Sequence, residues 1–540
     1  MANLHLRYID AHQLKSWIHD SEELALLDVR EHGQYGEDHL FFAVSLPYSE
    51  LEFQLDRLVP WRGVRVALYG DQGSEEAVRA SAQAMARLGY SNVHILRDGI
   101  EAWKAAGYVS FAGVNVPSKT FGEMVEHVCQ TPSISANELS VLMRGDSRRL
   151  LIVDGRPVSE YRRTTIPGSV CCPNGELALR IHALAPDPDT TIVVNCAGRT
   201  RSIIGAQTLI NLGISHKVYA LENGTQGWYL QDLPLEYQAN RLYPEKIEDQ
   251  SLMPVRQRAQ ALRHRFKIPS VDAETVAGWI NSQTRSVFLC DIRTEEEYAK
   301  ARMPPRVQHA PGGQLIQATD QYIGVRKASI VLCDIEGIRA PVVASWLKQL
   351  GWSVFLLEDI DGLNHVLDDF ARHEDDQSKL EYADEIPADD LPRFLKQNPD
   401  ALLLDARPSK LFREGSIEKS RWIIRPNVSH ELAGLSERRV LLMGDDLARL
   451  RLLAHELEAN GFADIYISEV GDDFPQSTGL SVVSRRDMPD KSCIDYLFFA
   501  HERHEGNKIA AKVYLDWETN LLLRIDAQER ATFSIEPLQE

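Results

Sequence analysis

The sequence has few cysteines, few prolines and no long apolar segment. Its seven cysteines, an odd number, are spread thinly over 540 residues, which excludes a disulfide framework and favours the reducing cytoplasm. Prolines number 25 and hydrophobic residues make up 44% of the chain, so neither wholesale disorder nor a fibrous fold is expected. No segment approaches the roughly eighteen apolar residues that cross a membrane, and the start of the chain lacks a signal-peptide pattern. We therefore expect a globular protein that is neither secreted nor inserted in a membrane.

Positive charge is also in short supply. The 59 basic residues face 78 acidic ones, which gives a net charge of −19. Long-range attraction to nucleic acid or to an anionic membrane therefore has the wrong sign, and we expect neither as a partner. A site for a small anion has to be built from local positive charge.

At roughly 100–200 residues per domain, the length predicts three to five domains.

Four segments of the chain restart with the same signature. Each begins with a short apolar strand that runs into an Asp-x-Arg sequence, and the four pairs are Asp28/Arg30, Asp154/Arg156, Asp291/Arg293 and Asp405/Arg407. A second apolar strand follows about forty residues later in each segment and runs into a helical pattern. These helical patterns stop at Gly89, Gly213, Gly351 and Gly461. A third short strand closes each segment, so the chain is predicted to be an internal repeat.

The repeated pattern predicts the fold class. Strand, crossover, strand, helix and strand at this spacing form a small α/β domain with a mainly parallel sheet and helices on both faces. Four such domains in tandem fill the chain, with expected boundaries at 1–112, 113–240, 241–370 and 371–540. The last range includes an amphipathic C-terminal segment, which we expect to be a helix docked on the fourth unit. No chemistry is predicted for this tail.

The turn after the second strand is where an active site is expected in such a sheet, because the next helix points its free amide groups there. In the second unit this turn runs from Cys196 to Ser202 and reads Cys-Ala-Gly-Arg-Thr-Arg-Ser. The positive helix end, together with Arg199 and Arg201, is expected to lower the pKa of the Cys196 thiol and make it reactive. The alternative is a free cysteine that only packs in the core. Its place directly after a strand favours the reactive interpretation.

The second unit carries two further motifs, Ile166-Pro167-Gly168-Ser169 in the crossover and Glu222-Asn223-Gly224 followed by Trp228. Together with the Asp-x-Arg pairs and the Cys196 turn, they resemble the rhodanese family, in particular its multi-domain bacterial thiosulfate sulfurtransferases. The resemblance covers most of the chain, in four copies. It implies that Cys196 takes up a sulfane sulfur as a persulfide, usually from thiosulfate, and passes it to cyanide or to a thiol.

The resemblance also assigns roles to the neighbours of Cys196. The residues expected to cradle the persulfide and the donor are Ala197, Gly198, Arg199, Thr200, Arg201 and Ser202. Asp154 and Arg156 belong to a pair that recurs in units without the cysteine, so we expect them to brace the loop rather than react. No organic cofactor and no metal is expected, and no general base is needed if the thiolate is already formed near neutral pH.

The other three units lack the cysteine. When the strands are matched, the position of Cys196 is taken by Gly70 in the first unit, Asp334 in the third and Gly444 in the fourth. None of them can hold a sulfane sulfur, so these units are expected to be inactive. Cys333 would take the position after a one-residue slip, but Asp334 and Glu336 would raise the pKa of its thiol and repel an anionic donor. We therefore expect Cys333 to be the end of a strand.

Several alternatives stay open at this point. Cys171 or Cys172 could resolve a persulfide, although alternation along a strand lets at most one of them reach Cys196, and core packing is the preferred interpretation. The turn Asn174-Gly175-Glu176 after Pro173 could border the pocket, which makes Glu176 a further candidate. Related phosphatases need Cys-x5-Arg, whereas Arg201 is the fifth residue after Cys196, so the smaller loop favours sulfur transfer.

A second hypothesis is a binding or relay scaffold. In it, the three units without the cysteine hold a sulfur-carrying partner protein around one persulfide site. Rapid turnover with small thiols would favour the enzyme, whereas turnover only with a partner protein would favour the relay.

Overall fold

The computed structural model describes residues 6–145, 149–245, 247, 249–367, 383–435, 439–471, 474–476, 479–498 and 507–537. In this part of the chain there are four five-stranded sheets and one two-stranded ribbon. When the sheet strands of each unit are numbered along the chain, all four large sheets have the order 1-5-4-2-3. All of their strand pairings are parallel. The predicted α/β class with four mainly parallel sheets is confirmed.

The strands of the four sheets have similar lengths at corresponding positions. Those of the first unit are Arg7–Ile9, Leu24–Asp28, Val44–Ser45, Arg65–Tyr69 and Val93–Leu96. Those of the second unit are Ser133–Ile134, Leu150–Asp154, Val170–Cys171, Thr191–Asn195 and Val218–Leu221. Those of the third unit are Ser270–Val271, Val287–Asp291, Val307–His309, Ser329–Cys333 and Ser353–Leu357. Those of the fourth unit are Asp384–Glu385, Leu402–Asp405, Arg421–Trp422, Val440–Gly444 and Ile465–Glu469, and the ribbon pairs Ser416–Ile417 with Val482–Val483.

Helices cover both faces of each sheet. The first unit has the α-helices Ala11–His19, His32–Glu37, Leu51–Leu58, Glu75–Arg87 and Gly99–Ala105. The linker helix Val116–Cys129 precedes the second unit, which has Ala136–Met143, Val158–Arg163, Leu177–Leu184, Thr200–Asn211 and Gly224–Leu230. A second linker helix, Asp249–Arg265, precedes the third unit, which has Ala273–Ser282, Glu295–Lys300, Gly312–Gln317, Arg339–Gln349 and Ile360–Leu367.

The fourth unit and the tail complete the helices. The fourth unit has Leu391–Gln397, Ser409–Glu414, Val428–Glu431 and Leu447–Ala459, and the tail has Lys508–Thr519, Leu521–Arg524 and Ala527–Arg530. Short 3-10 turns lie at Tyr48–Glu50, Thr319–Gln321, Ala388–Asp390, Arg425–Asn427 and Asp490–Ser492. Among the described residues, no helix combines the length and the apolar character that crossing a bilayer would require.

Local sequence explains how these elements begin and end. The central strand Leu24–Asp28 is buried at all five positions, as expected for a parallel sheet that is covered on both faces. The long helix of each unit ends at a glycine in the left-handed region, with φ of 91° at Gly89, 66° at Gly213, 93° at Gly351 and 92° at Gly461. Glycine pays no Cβ penalty there, so it terminates the helix at a defined residue.

The cores show how the units are joined. One hydrophobic core continues through the first three units and includes Leu521 and Phe533 of the tail, whereas the fourth unit has separate clusters of its own. The C-terminal helix Lys508–Thr519 packs on the linker helix Val116–Cys129 and on the helix Gly224–Leu230. The expectation that it docks on the fourth unit is therefore wrong, because its apolar face is buried against the second unit instead.

Candidate active site

Cys196 lies at the carboxyl end of the strand Thr191–Asn195, four residues before the helix Thr200–Asn211 begins. Its side chain is buried, and the Ser202 hydroxyl donates a hydrogen bond to its Sγ at 3.1 Å. The backbone of the loop is also held by a hydrogen bond, because the amide of Thr225 donates to the Cys196 carbonyl at 2.8 Å. A Cβ at Gly224 would lie 2.3 Å from the same carbonyl oxygen, which requires glycine at this position.

The amides of this loop form an open cradle. Among the described residues, none accepts a hydrogen bond from the N–H groups of Gly198, Arg199, Thr200 or Arg201. These groups precede or begin a helix, so their dipoles add to that of the helix N-terminus. The loop can therefore stabilise a negatively charged group that enters it.

The pKa of the Cys196 thiol differs from the prediction. Burial raises this pKa, the nearby Arg201 guanidinium and the Ser202 hydrogen bond lower it less, and Glu518 adds to the rise. The net direction is upward, so the expected lowered pKa is wrong. The sequence shows the positive neighbours but not how completely the thiol is removed from water, which disfavours the thiolate. The raised pKa removes the reason for expecting no general base, because that expectation depended on a thiolate already formed near neutral pH.

Both arginines of the loop are paired with carboxylates. Arg201 makes a bidentate pair with Glu160, with 2.7 and 2.9 Å between nitrogen and oxygen atoms. Arg199 makes a similar pair with Glu123 at 2.7 and 2.9 Å and also contacts Glu126. These partners hold the guanidinium groups in fixed orientations and reduce the positive charge that the sequence led us to expect.

A cavity of about 310 Å³ opens over the Cys196 loop and is walled by distant segments. Arg156 and Arg163 come from the second unit, Gln314 and Gln317 from the third, and Lys119 from the linker helix. Arg163 is exposed and has no ion-pair partner among the residues that the structure describes. The Arg163 guanidinium is therefore a positive charge in the cavity wall that can attract an anion.

The C-terminal helix supplies two side chains that the sequence did not single out. Tyr514 and Glu518 line the same cavity as Cys196. Glu518 is buried, and its Oε1 accepts a hydrogen bond from the Thr200 hydroxyl at 2.7 Å. The tail showed an amphipathic pattern, but nothing in that pattern tells which surface the helix covers.

The Asp-x-Arg pairs have the same geometry in all four units. In the second unit, Arg156 Nε and Nη2 donate to Asp154 at 2.9 and 2.7 Å, and Nη2 also donates to the Thr164 carbonyl. The other three pairs repeat both contacts within 0.1 Å, although their units lack the cysteine. Asp154 also accepts from the Asn195 side chain at 3.0 Å, directly before Cys196. The second pair is therefore hydrogen-bonded to the strand end that precedes Cys196.

Sheet register identifies the equivalents of Cys196. Asp154 lies opposite Asn195, and the corresponding partners are Tyr69, Cys333 and Met443. The residue that follows each of these partners in the chain is therefore the match to Cys196, which gives Gly70, Asp334 and Gly444 as the sequence indicated. In the third unit the Asp334 carboxylate accepts from the amides of Ile338 and Ala340 at 2.8 and 3.0 Å. The Asp334 side chain therefore occupies amide groups of its own loop that an external anion would need.

The remaining candidates lie away from the cavity. Cys333 ends its strand and is fully buried, and burial raises the pKa of its thiol. Cys171 and Cys172 are also buried with raised thiol pKa values, and neither lines the Cys196 cavity. Glu176 does not border the cavity either, because it pairs with Arg339 of the third unit at 2.7 Å. That pair joins two units and has a structural role.

Comparison with known proteins gives two kinds of similarity. A family model described as the rhodanese-like domain matches residues 10–106 and 135–231. The chain is 33% identical to a thiosulfate sulfurtransferase from Pseudomonas aeruginosa whose crystal structure is known. That similarity covers 99% of this chain and 100% of the other, with a TM-score of 0.85.

Shorter similarities involve single units. The chain is 30% identical over 109 residues to the HTH-type transcriptional regulator Rv0324 of Mycobacterium tuberculosis, which corresponds to 20% of this chain and 47% of the regulator. The chain thus spans about half the length of that relative. The Alr3790 protein from Anabaena sp. is 27% identical over 20% of this chain and 93% of its own, with a TM-score of 0.18.

Proposed function

The chain belongs to the rhodanese family, and from this premise we propose that it is a thiosulfate sulfurtransferase in which Cys196 holds the transferred sulfur. One observation supports the proposal above the others. Cys196 begins a loop in which the four amides from Gly198 to Arg201 have no acceptor among the described residues. Such a cradle of amide groups at a helix N-terminus stabilises negative charge, which a persulfide and an anionic donor both carry.

The first half-reaction loads the cysteine. The Cys196 thiolate attacks the outer sulfur of thiosulfate, the S–S bond of the donor breaks, and sulfite leaves with the electron pair. Arg201 and the Ser202 hydroxyl favour the thiolate, and the exposed Arg163 attracts the donor to the cavity. The persulfide then passes its outer sulfur to a thiol or to cyanide, which predicts ping-pong kinetics.

We extend the proposal to the other units and to the compartment. Gly70 and Gly444 have no nucleophile, and Asp334 occupies its own loop, so these three units are proposed to be inactive. All seven cysteines are free, and a reducing compartment such as the cytoplasm would keep Cys196 available. The relay hypothesis remains a second proposal, in which the inactive units hold a partner protein.

The test is intact-protein mass spectrometry after brief exposure to thiosulfate, followed by peptide mapping. We expect a gain of one sulfur, about 32 Da, on the peptide that contains Cys196, and its loss on addition of a thiol or cyanide. Cys196→Ser should abolish the gain, while the matched variant Cys333→Ser should leave it intact. A gain that persists in Cys196→Ser would show that the site is assigned to the wrong residue. Sulfur released only to a partner protein would favour the relay.

A further inference from the structure

Glu518 has a buried oxygen without a hydrogen-bond partner at the Cys196 loop. The residue is 2% exposed, its Oε1 accepts from the Thr200 hydroxyl, and its Oε2 has no partner among the described residues. A Cβ at Gly198 would lie 3.1 Å from this Oε2, so the free oxygen lies against the second residue after Cys196. A buried acceptor left unpaired costs free energy, which a ligand that donates a hydrogen bond would recover.

The charges around Glu518 restrict what this ligand can be. The negative charge of Glu518 contributes a rise to three pKa values, those of the Cys196 thiol, the Arg199 guanidinium and the Glu123 carboxyl. It shares the cavity wall with Lys119 and Arg163. A fully deprotonated anion such as thiosulfate has no hydrogen to offer Oε2, so the donor does not explain this residue. An acceptor thiol, which carries an S–H group, does.

We propose that Glu518 is a catalytic residue that takes the proton of a small thiol acceptor in the second half-reaction. This inference rests on the proposed function. The S–H bond of the acceptor breaks and its proton passes to Oε2, while the thiol sulfur forms a bond to the outer sulfur of the Cys196 persulfide. The bond between Cys196 Sγ and that sulfur breaks, and its electron pair stays on Sγ as a thiolate. The proton then moves from Glu518 to this thiolate, so the carboxylate is regenerated and no external redox agent is needed.

The geometry suits each part of this step. The Thr200 hydrogen bond fixes one carboxylate oxygen and leaves the other for the acceptor. Ser202 Oγ donates to Sγ at 3.1 Å and can stabilise the departing thiolate. The raised pKa of the Cys196 thiol favours its final protonation. The C-terminal helix, and not the second unit alone, would thus complete the enzyme.

The experiment compares two acceptors for the persulfide in a single turnover. Protein loaded with thiosulfate is mixed at mildly alkaline pH either with sulfite, which is then deprotonated, or with β-mercaptoethanol, which stays largely protonated. Loss of the sulfur mass from the Cys196 peptide is followed in time. In Glu518→Gln, discharge to the thiol should slow roughly 100-fold, the lower range for a lost general base, while discharge to sulfite should equal or exceed that of the wild type.

The controls separate this inference from the proposed function. Asp516→Asn removes the same charge from an exposed position two residues away on the same helix and should change neither rate. Normal loading and sulfite discharge in Glu518→Gln show that the variant is folded, and an unchanged thiol rate would then overturn this inference alone. A wild-type protein that takes up no sulfur would overturn both. If Glu518→Gln does not fold, Glu518→Asp serves instead, because it keeps the negative charge but withdraws the carboxylate oxygens from the acceptor. Slower discharge to the thiol with normal discharge to sulfite would support the proton role, and equal slowing with both acceptors would refute it.

Discussion

The Asp405–Arg407 brace should stabilise the fourth unit without affecting the persulfide site. Asp405→Ala removes two hydrogen bonds of 3.0 and 2.7 Å from a guanidinium whose side chain is 5% exposed. Arg407 keeps the carbonyl acceptors of Phe474 and Gly415, but its charge is left without an ion-pair partner among the described residues. Breaking a buried ion pair by removing one partner costs about 3–5 kcal/mol, a large share of the roughly 5–15 kcal/mol that stabilises a domain.

The loss should stay within the fourth unit, because the described residues of its hydrophobic clusters all belong to this unit or to the segment that follows it. Hydrogen exchange with mass spectrometry can compare the strand Leu402–Asp405 with the strand Thr191–Asn195 in one sample. We expect faster exchange in the first strand, no change in the second, and normal sulfur uptake by Cys196. The control Asp464→Ala breaks a pair with Arg439 whose side chains are 46% and 40% exposed, and it should have little effect. An equal effect of the two substitutions, or a loss of sulfur uptake in Asp405→Ala, would contradict a stabilising role confined to the fourth unit.

Two further predictions concern the cavity itself. Because burial raises the pKa of the Cys196 thiol, its alkylation by iodoacetamide, followed on the mapped peptide, should still accelerate with pH above the ordinary value of about 8.5, and a plateau below that value would contradict the burial argument. Arg163→Gln should raise KM for thiosulfate severalfold with kcat nearly unchanged, and the difference should shrink in high salt, since an exposed cation attracts the donor through solvent. Equal KM values at low salt would show that Arg163 does not guide the donor.

Much of the fold follows from local patterns. The central strands are continuous apolar runs, and each long helix ends at a glycine with positive φ, so both could be read from neighbouring residues. The short edge strands were not predicted, because Val44–Ser45 or Ser133–Ile134 has too few residues to show alternation. Cys196 was identifiable for the same local reason, as the first residue after a strand and before a helix.

The fourfold repeat, the place of Cys196 directly after a strand and the residues that replace it in the other units could all be predicted from the sequence. The surroundings of the cysteine follow only from the packing of the whole chain. Thr200 and Glu518 are 318 residues apart in the chain yet share a hydrogen bond, and Arg199 is paired with the linker-helix residue Glu123. The upward direction of the Cys196 pKa also depends on the packed structure, since burial outweighs the positive charges beside the thiol in the sequence. Hydrophobic periodicity fixes which face of a helix is buried, but the partner depends on the complementary shapes of whole packed units, which no local pattern records.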